Sequence, residues 1–482
     1  MRPLPPIREV RGARLTIRGN LLVICLLLSS LAFAGEQTAP TSATDVCPSC
    51  IRHNLEYLAG PALHGRGSGT TDEYHAAKFI AAQLKHYGLA PSAGNGSYIQ
   101  TGTLMTRTIT SPPVVSFTGP DGKSVSWKHG EQLAFFRCSQ PALSAPLQKL
   151  DLNDPNVSPS SVKPGAAVVL KQKAGTAAEG IESTITAYLG SKASLVILPQ
   201  PAGGEGLFHQ VSSRLPRPER KLGNEPPRPD GVILKPEEAQ QLWAMPEGTV
   251  ITVRASVTPW RVSHTWNVLA KIEGKDQPDQ IVLLSAHLDH LGMKNGKVYP
   301  GADDDASGTV AVMELARALA KQPQPERTIV FALWGSEEAG LVGARYFLQN
   351  PTFDLKNIIA NLEFEMIARA DPKVKPDQLW LTGWERTNLG PELATHGAAL
   401  VGDPHPDQGF FTRSDNFALA KDGIVAQTVS SYGLHKDYHQ PTDSLDKVDW
   451  QHLYRAIGSM IAPINWLANS SFTPQWNEGQ RP

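Results

Sequence analysis

From Trp266 onward the chain alternates short apolar runs with amphipathic stretches, and acids or histidines stand where the apolar runs end. Ile281 to Ala286 runs into His287, Thr328 to Trp334 into Glu337 and Glu338, and Ile358 to Glu365 ends on an acid. Ile424 to Val429 forms a later run, followed by Tyr438 and His439. Between the runs, Ser307 to Lys321 carries Val312, Leu315, Ala316 and Leu319 at helical spacing, and Leu341 to Gln349 reads as a further helix. Trp450 to Leu467 closes the series with Leu453, Ile457, Ile461 and Ile464 on one face. Strands that alternate with helices in this way predict an α/β fold, a mainly parallel sheet with helices on both faces. In such sheets the chemistry gathers at the carboxyl edges of the strands.

At 482 residues the chain exceeds one small domain, and the pattern changes in its middle. Between about Ser111 and Arg261 lie short strands such as Ala167 to Leu170 and Leu195 to Leu198 and a helical stretch near Glu182 to Leu189. A Pro-rich run, Leu215 to Gly231, reads as a long loop, and no acids and histidines cluster here. Residues 111–260 are therefore expected to form an inserted α/β module within a domain made of 51–110 and 261–467, with 468–482 as a flexible tail. Thr70 to Gly88 predicts a capped helix, and the Gly-rich stretch His64 to Gly69 before it reads as a surface loop. With 45 basic against 46 acidic residues, the net charge of -1 offers no electrostatic surface for nucleic acid.

Five arginines between Arg2 and Arg18 precede an apolar run from Leu21 to Ala34 that ends in Ala32-Phe33-Ala34. This predicts a signal peptide over 1–34, an exported (periplasmic or secreted) protein beginning near Gly35, and no lasting membrane insertion. The run is shorter than the ~20 residues that a spanning helix needs. Cys47-Pro48-Ser49-Cys50 lacks the second pair that a zinc ribbon requires, and a local disulfide, or one bond to Cys138, is the expectation.

Taken by residue type alone, His287, Asp304, Glu338, Glu365 and His439 can converge at one sheet edge. Two neutral imidazoles and three carboxylates suit a pair of zinc ions if one carboxylate is shared, which is a hydrolytic arrangement. Each residue alone has a plainer reading: Asp303-Asp304-Asp305 could cap the helix at Ser307, and Glu337-Glu338 could be a solvated loop. Five candidate donors at strand ends are not explained that way.

The segments S-A-H-L-D-H, G-A-D-D-D-A-S-G, G-S-E-E-A-G-L-V-G, N-L-E-F-E-M-I, R-S-D-N-F and Y-H-Q-P-T-D-S together resemble the dizinc exopeptidases. That family includes bacterial leucyl aminopeptidases, with glutamate carboxypeptidase II and glutaminyl cyclase as relatives, and the middle module resembles its protease-associated insert. The resemblance implies two zinc ions, one on His287 and Glu365, the other on Glu338 and His439, bridged by Asp304. It leaves Glu337 as general base, Asp289 to orient the His287 ring, Tyr438 to steady the oxyanion and Arg413 to contact substrate. It places a cis peptide at Asp304-Asp305. Position 365 is Glu where many relatives have Asp, and Asn416 stands where His is common. The implied activity is removal of N-terminal residues from peptides. Carboxypeptidase or dipeptidase action is the alternative, followed by glutaminyl cyclisation or an inactive binding homologue of the transferrin-receptor kind.

Overall fold

The computed structural model describes residues 46–172, 181–216, 218–223, 225–226 and 228–482. The expected signal peptide, 1–34, lies outside the described residues. The described residues make one compact unit by their internal contacts.

The large sheet is parallel at its centre, where Ala426–Ser430, Ile358–Phe364, Gln277–His287 and Arg327–Trp334 lie side by side in that order. Antiparallel strands flank this centre. Arg261–Ile272 and Ile99–Arg107 extend it on one side, and Leu379–Leu381 pairs with Ala426–Ser430 on the other. The central strands are apolar on both faces because both faces are covered. Val282, Leu284 and Ala286 point into a core shared with the helices Thr71–His86, Ala306–Leu319 and Trp450–Asn469. Ile281 and Leu283 alternate to the opposite face, where Phe347 and Leu419 cover them from the helices Val342–Gln349 and Asn416–Lys421. The helix Ala306–Leu319 is buried along its whole length, and Asp305 caps it by accepting from the Gly308 amide at 3.0 Å.

Among the described residues a second sheet of eight strands is built from the middle module, from Val114–Thr118 to Val250–Arg254, with its own apolar core around Phe135, Val169, Ile197 and Ile251. The Pro-rich run departs from expectation. Glu219–Leu222 within it is a strand, and it pairs with Ile99–Arg107 at the edge of the large sheet. Its run of charged residues, Glu219, Arg220 and Lys221, hid it, since an edge strand needs little apolar sequence to pair.

Two further expectations are corrected. The tail is docked: the Trp476 indole donates to the Gly423 carbonyl at 3.0 Å, and the Asn477 amide donates to the Arg386 carbonyl at 2.7 Å. The stretch from His64 to Gly69 is no surface loop, because Arg66 is fully buried and donates to the carbonyls of Leu58, Leu288, Pro300 and Gly301. Cys47 and Cys50 form a disulfide at the start of the first helix, and Cys138 is a buried free thiol.

Candidate active site

The central parallel strands end together. His287 is the last residue of its strand, Glu365 follows directly on Ile358–Phe364, and Glu337 and Glu338 sit on a short turn, Glu337–Ala339, just beyond Arg327–Trp334. Three aspartates in a row then divide the work of assembling this edge. Asp303 accepts from the Ala368 amide at 2.8 Å and meets His435 Nε2 at 2.9 Å. Asp305 accepts from the amides of His287 at 3.2 Å, Gly308 and Met366, so one carboxylate ties a strand end, a helix start and the next strand end together. Asp304, across a cis peptide from Asp305, turns into the centre. Gly308 permits the close approach of helix and strand, since a Cβ there would lie 2.0 Å from the Phe364 carbonyl oxygen.

Two sets of donor atoms result, and both use Asp304. His287, Asp304 and Glu365 form one, and His290, Asp304 and Glu338 the other. His439 joins the second set, its Nε2 lying 3.0 Å from Glu338 Oε1 and 3.2 Å from Asp304 Oδ2. His287 Nε2 is 3.4 Å from Asp304 Oδ1. All five ligand candidates read from the sequence are thus brought together. Glu363, which shares the strand face of Glu365, is not among them; it accepts from Ser285 Oγ at 3.1 Å instead.

The donor set fits cations. His287 Nε2, His290 Nδ1, Asp304 Oδ2 and Glu338 Oε1 are all buried with no hydrogen-bond partner in the protein, and all belong to the two sets. Buried polar atoms are ordinarily paired, so four orphans facing two shared points call for positive charge there. Burial works to raise the Asp304 carboxyl, but the surrounding imidazoles of His290, His287 and His439 overcome it and hold it well below the usual range. Glu338 behaves likewise and is drawn down to about 2 despite burial and the nearby Asp304.

Glu337 stands beside the centre without joining either set, its Oε2 4.0 Å from His287 Nε2. Burial, with Asp415 and Glu338 nearby, pushes its carboxyl well above the usual range. Its amide donates to Asp289 Oδ1 at 2.8 Å, and Asp289 Oδ2 accepts from Ser68 Oγ at 2.6 Å. Asp289 faces the His287 ring as expected, but the shorter contact to His287 Nδ1, 3.2 Å, comes from its carbonyl rather than its carboxylate at 3.7 Å. The Tyr438 ring stacks on His439 with centroids 3.9 Å apart, and its oxygen accepts from Arg413 Nη2 at 3.3 Å. Tyr438, Arg413, Glu337 and Glu365 border a cleft that continues between Trp380, Phe410 and Tyr432.

Sequence reasoning missed four contributors. His290 stood in the quoted S-A-H-L-D-H without being given a role. Arg66 and Ser68 were hidden in a Gly-rich loop. Glu73, in the first turn of the helix Thr71–His86, was given no role; it is buried, and accepts from Thr265 Oγ1 at 2.9 Å and from Ser336 Oγ, directly behind Glu337. From the middle module, Glu225 pairs with Arg345, and Arg228 reaches the Gly340 end of the same turn.

A parallel-centred α/β sheet whose strand ends gather two cation-donor sets through one shared aspartate is suited to metal-assisted hydrolysis. Residues 267–463 match the profile of peptidase family M28. A probable zinc metalloprotease of Pyrenophora teres f. teres is 41% identical over 112 residues, covering 23% of this chain and 22% of that protein. A probable lipoprotein aminopeptidase of Mycobacterium tuberculosis is 28% identical over 235 residues, covering 42% of this chain and 44% of its own length. The chain thus spans less than half the length of these curated relatives. The fold aligns with that of an aminopeptidase from Aneurinibacillus sp. strain AM-1 at a TM-score of 0.52 and 17% identity, over 89% of this chain and 96% of that one.

Proposed function

We propose that the protein is a dizinc aminopeptidase in which His287 and Glu365 hold one ion, Glu338 and His439 the other, and Asp304 both. The observation that carries this is the pair of orphaned donor sets joined at Asp304 beside an uncommitted Glu337. Zinc bound there would supply Lewis acidity toward the scissile carbonyl and lower the pKa of water. Glu337 is placed to take the proton of the attacking water and return it to the leaving amine. Burial raises the Tyr438 phenol, so it stays protonated; with Arg413 donating to its oxygen, its own O–H is free to turn toward the developing oxyanion. The cavity between Trp380, Phe410 and Tyr432 takes an apolar side chain next to the scissile bond. The Trp380 N–H is satisfied by Asp371 at 3.0 Å and its ring stacks on Phe410, so the two aromatics form a fixed wall of this cavity.

A free N-terminal ammonium suits this cleft, whose reactive end is lined by Asp304, Glu337, Glu338 and Glu365. Arg413 at the rim favours the second reading, capture of a C-terminal carboxylate by a carboxypeptidase or dipeptidase. A panel of aminoacyl and N-blocked peptides, assayed with and without chelator, separates the two. Chelator-sensitive release of N-terminal residues, with Leu, Met or Phe preferred, is expected; cleavage of N-blocked peptides from the C-terminus would overturn it. Export through residues 1–34 is part of the proposal, and the Cys47–Cys50 disulfide suits an oxidising compartment. Exported material should begin near Gly35 on N-terminal sequencing. The middle module, 111–260, is proposed to be a protease-associated-like insert that braces the Glu337 turn without donating to the centre. No helix among the described residues is long and apolar enough to cross a membrane.

A further inference from the structure

We propose that His290 is a fourth protein ligand of the second ion, so that the two halves of the centre are unequal. The inference rests on the two-ion reading above and adds to it a ligand that reading does not contain. His290 is fully buried, and its Nδ1 lies 3.0 Å from Glu338 Oε1 and 3.7 Å from Asp304 Oδ2, the same two oxygens that His439 Nε2 approaches. Neither contact has hydrogen-bond geometry, and Nδ1 is left without a partner, as His287 Nε2 is in the other set. Imidazole nitrogens and carboxylate oxygens that surround one point without bonding each other are placed as ligands are.

The backbone is built around this ring. Gly301 has φ +59°, and a Cβ there would come within 2.5 Å of His290 Cγ, so only glycine lets the loop close over the imidazole. Arg66 fixes both sides of that closure. It donates to Leu288 O at 2.9 Å before His290 and to Pro300 O at 2.8 Å and Gly301 O at 3.0 Å on the loop above, while its own carbonyl accepts from the His290 amide at 3.1 Å. A buried arginine spanning these two segments sets the ring against Glu338 and Asp304 before any ion arrives.

The consequence is a division of labour. An ion on His290, Asp304, Glu338 and His439 has the four protein donors of a closed, structural zinc site. The ion on His287, Asp304 and Glu365 keeps an open position for chemistry. The closed ion is the harder to remove.

The test counts rings bound to metal. Full-length protein labelled with ¹⁵N-histidine and loaded with ¹¹³Cd is expected to show nitrogen–cadmium coupling at Nε2 of His287, Nε2 of His439 and Nδ1 of His290. Mild chelation should remove the His287 coupling first and leave His290 and His439 on one ion. His290→Gln should lose its coupling and weaken that ion by more than the about 10–100-fold that follows loss of an outer hydrogen-bond partner. Two bound ions with coupling only at His287 and His439 would overturn the assignment and leave the two-ion reading standing. A single ion on His287, Asp304 and Glu365 would overturn both. The wild-type spectrum decides between these outcomes even if the variant does not fold.

Discussion

Neighbouring glutamates at 337 and 338 are given different work by the turn that carries them. In a tight helical turn successive side chains diverge by about a third of a revolution. Glu338 therefore meets His290 and His439 at 3.0 Å, while Glu337 stays 4.0 Å from the nearest imidazole nitrogen. Glu337→Gln keeps shape and removes the basic carboxylate, so turnover should fall by about 10²–10⁴-fold with metal content unchanged. Glu338→Gln should instead lose metal, read by elemental analysis, and an active Glu337→Gln protein would show that the base lies elsewhere. Arg66 belongs to the same scale. Arg66→Met leaves four buried carbonyls short of a donor and should lower unfolding stability by about 3 kcal/mol or more in urea titration. A loss below 1 kcal/mol would mean that water replaces it.

The elements themselves were legible wherever one period dominated. The helix Ala306–Leu319 and the strands Arg327–Trp334 and Ile358–Phe364 lie within two residues of where periodicity puts them, because each is packed on the core by its own apolar pattern. Glu219–Leu222 was not legible, since its pairing partner, Ile99–Arg107, is over a hundred residues away and its own sequence is largely charged. In the middle module the strand Asp230–Leu234 carries a second feature that no pattern signals. Burial pushes the Asp230 carboxyl up to about 7, with Glu219 adding to the shift, although Ser139 donates to it and Arg137 lies nearby. A raised folded value means that the folded chain holds this proton more tightly than the unfolded chain. Its contribution to stability is therefore greatest at low pH and falls as the pH rises from about 4 to 7. Asp230→Asn removes that dependence. The melting temperature of the variant relative to the parent should rise steadily from pH 4 to 7 in calorimetry, and a constant difference would show that Asp230 does not titrate there.

At the scale of the whole molecule, the site is a concentration of negative charge that the rest of the fold has to hold together. Asp289, Asp304, Asp305 and Glu363 are all at most 2% exposed, and Glu337, Glu338 and Glu365 stand beside them. Cations that bind only the folded chain stabilise it by mass action, about 2.7 kcal/mol for one site at a hundredfold excess over its dissociation constant. Stripping metal with chelator should therefore lower the melting temperature by several degrees, and re-addition of zinc should restore it. A melting curve indifferent to chelator would count against a metal centre.

By itself the sequence determined the alternation of strand and helix, the strand ends at which His287, Glu338 and Glu365 fall, and the residue types that make a hydrolytic centre plausible. These are local properties: the period of apolar residues and the chemistry of a side chain are both carried within a few positions. Only the tertiary structure decided that His290 joins His439 on the same two oxygens, and that a Gly-rich stretch near the start of the described chain buries Arg66 beneath the centre. Those relations join residues up to 235 positions apart, and they follow from how sheet, helices and loops pack, which no local pattern encodes.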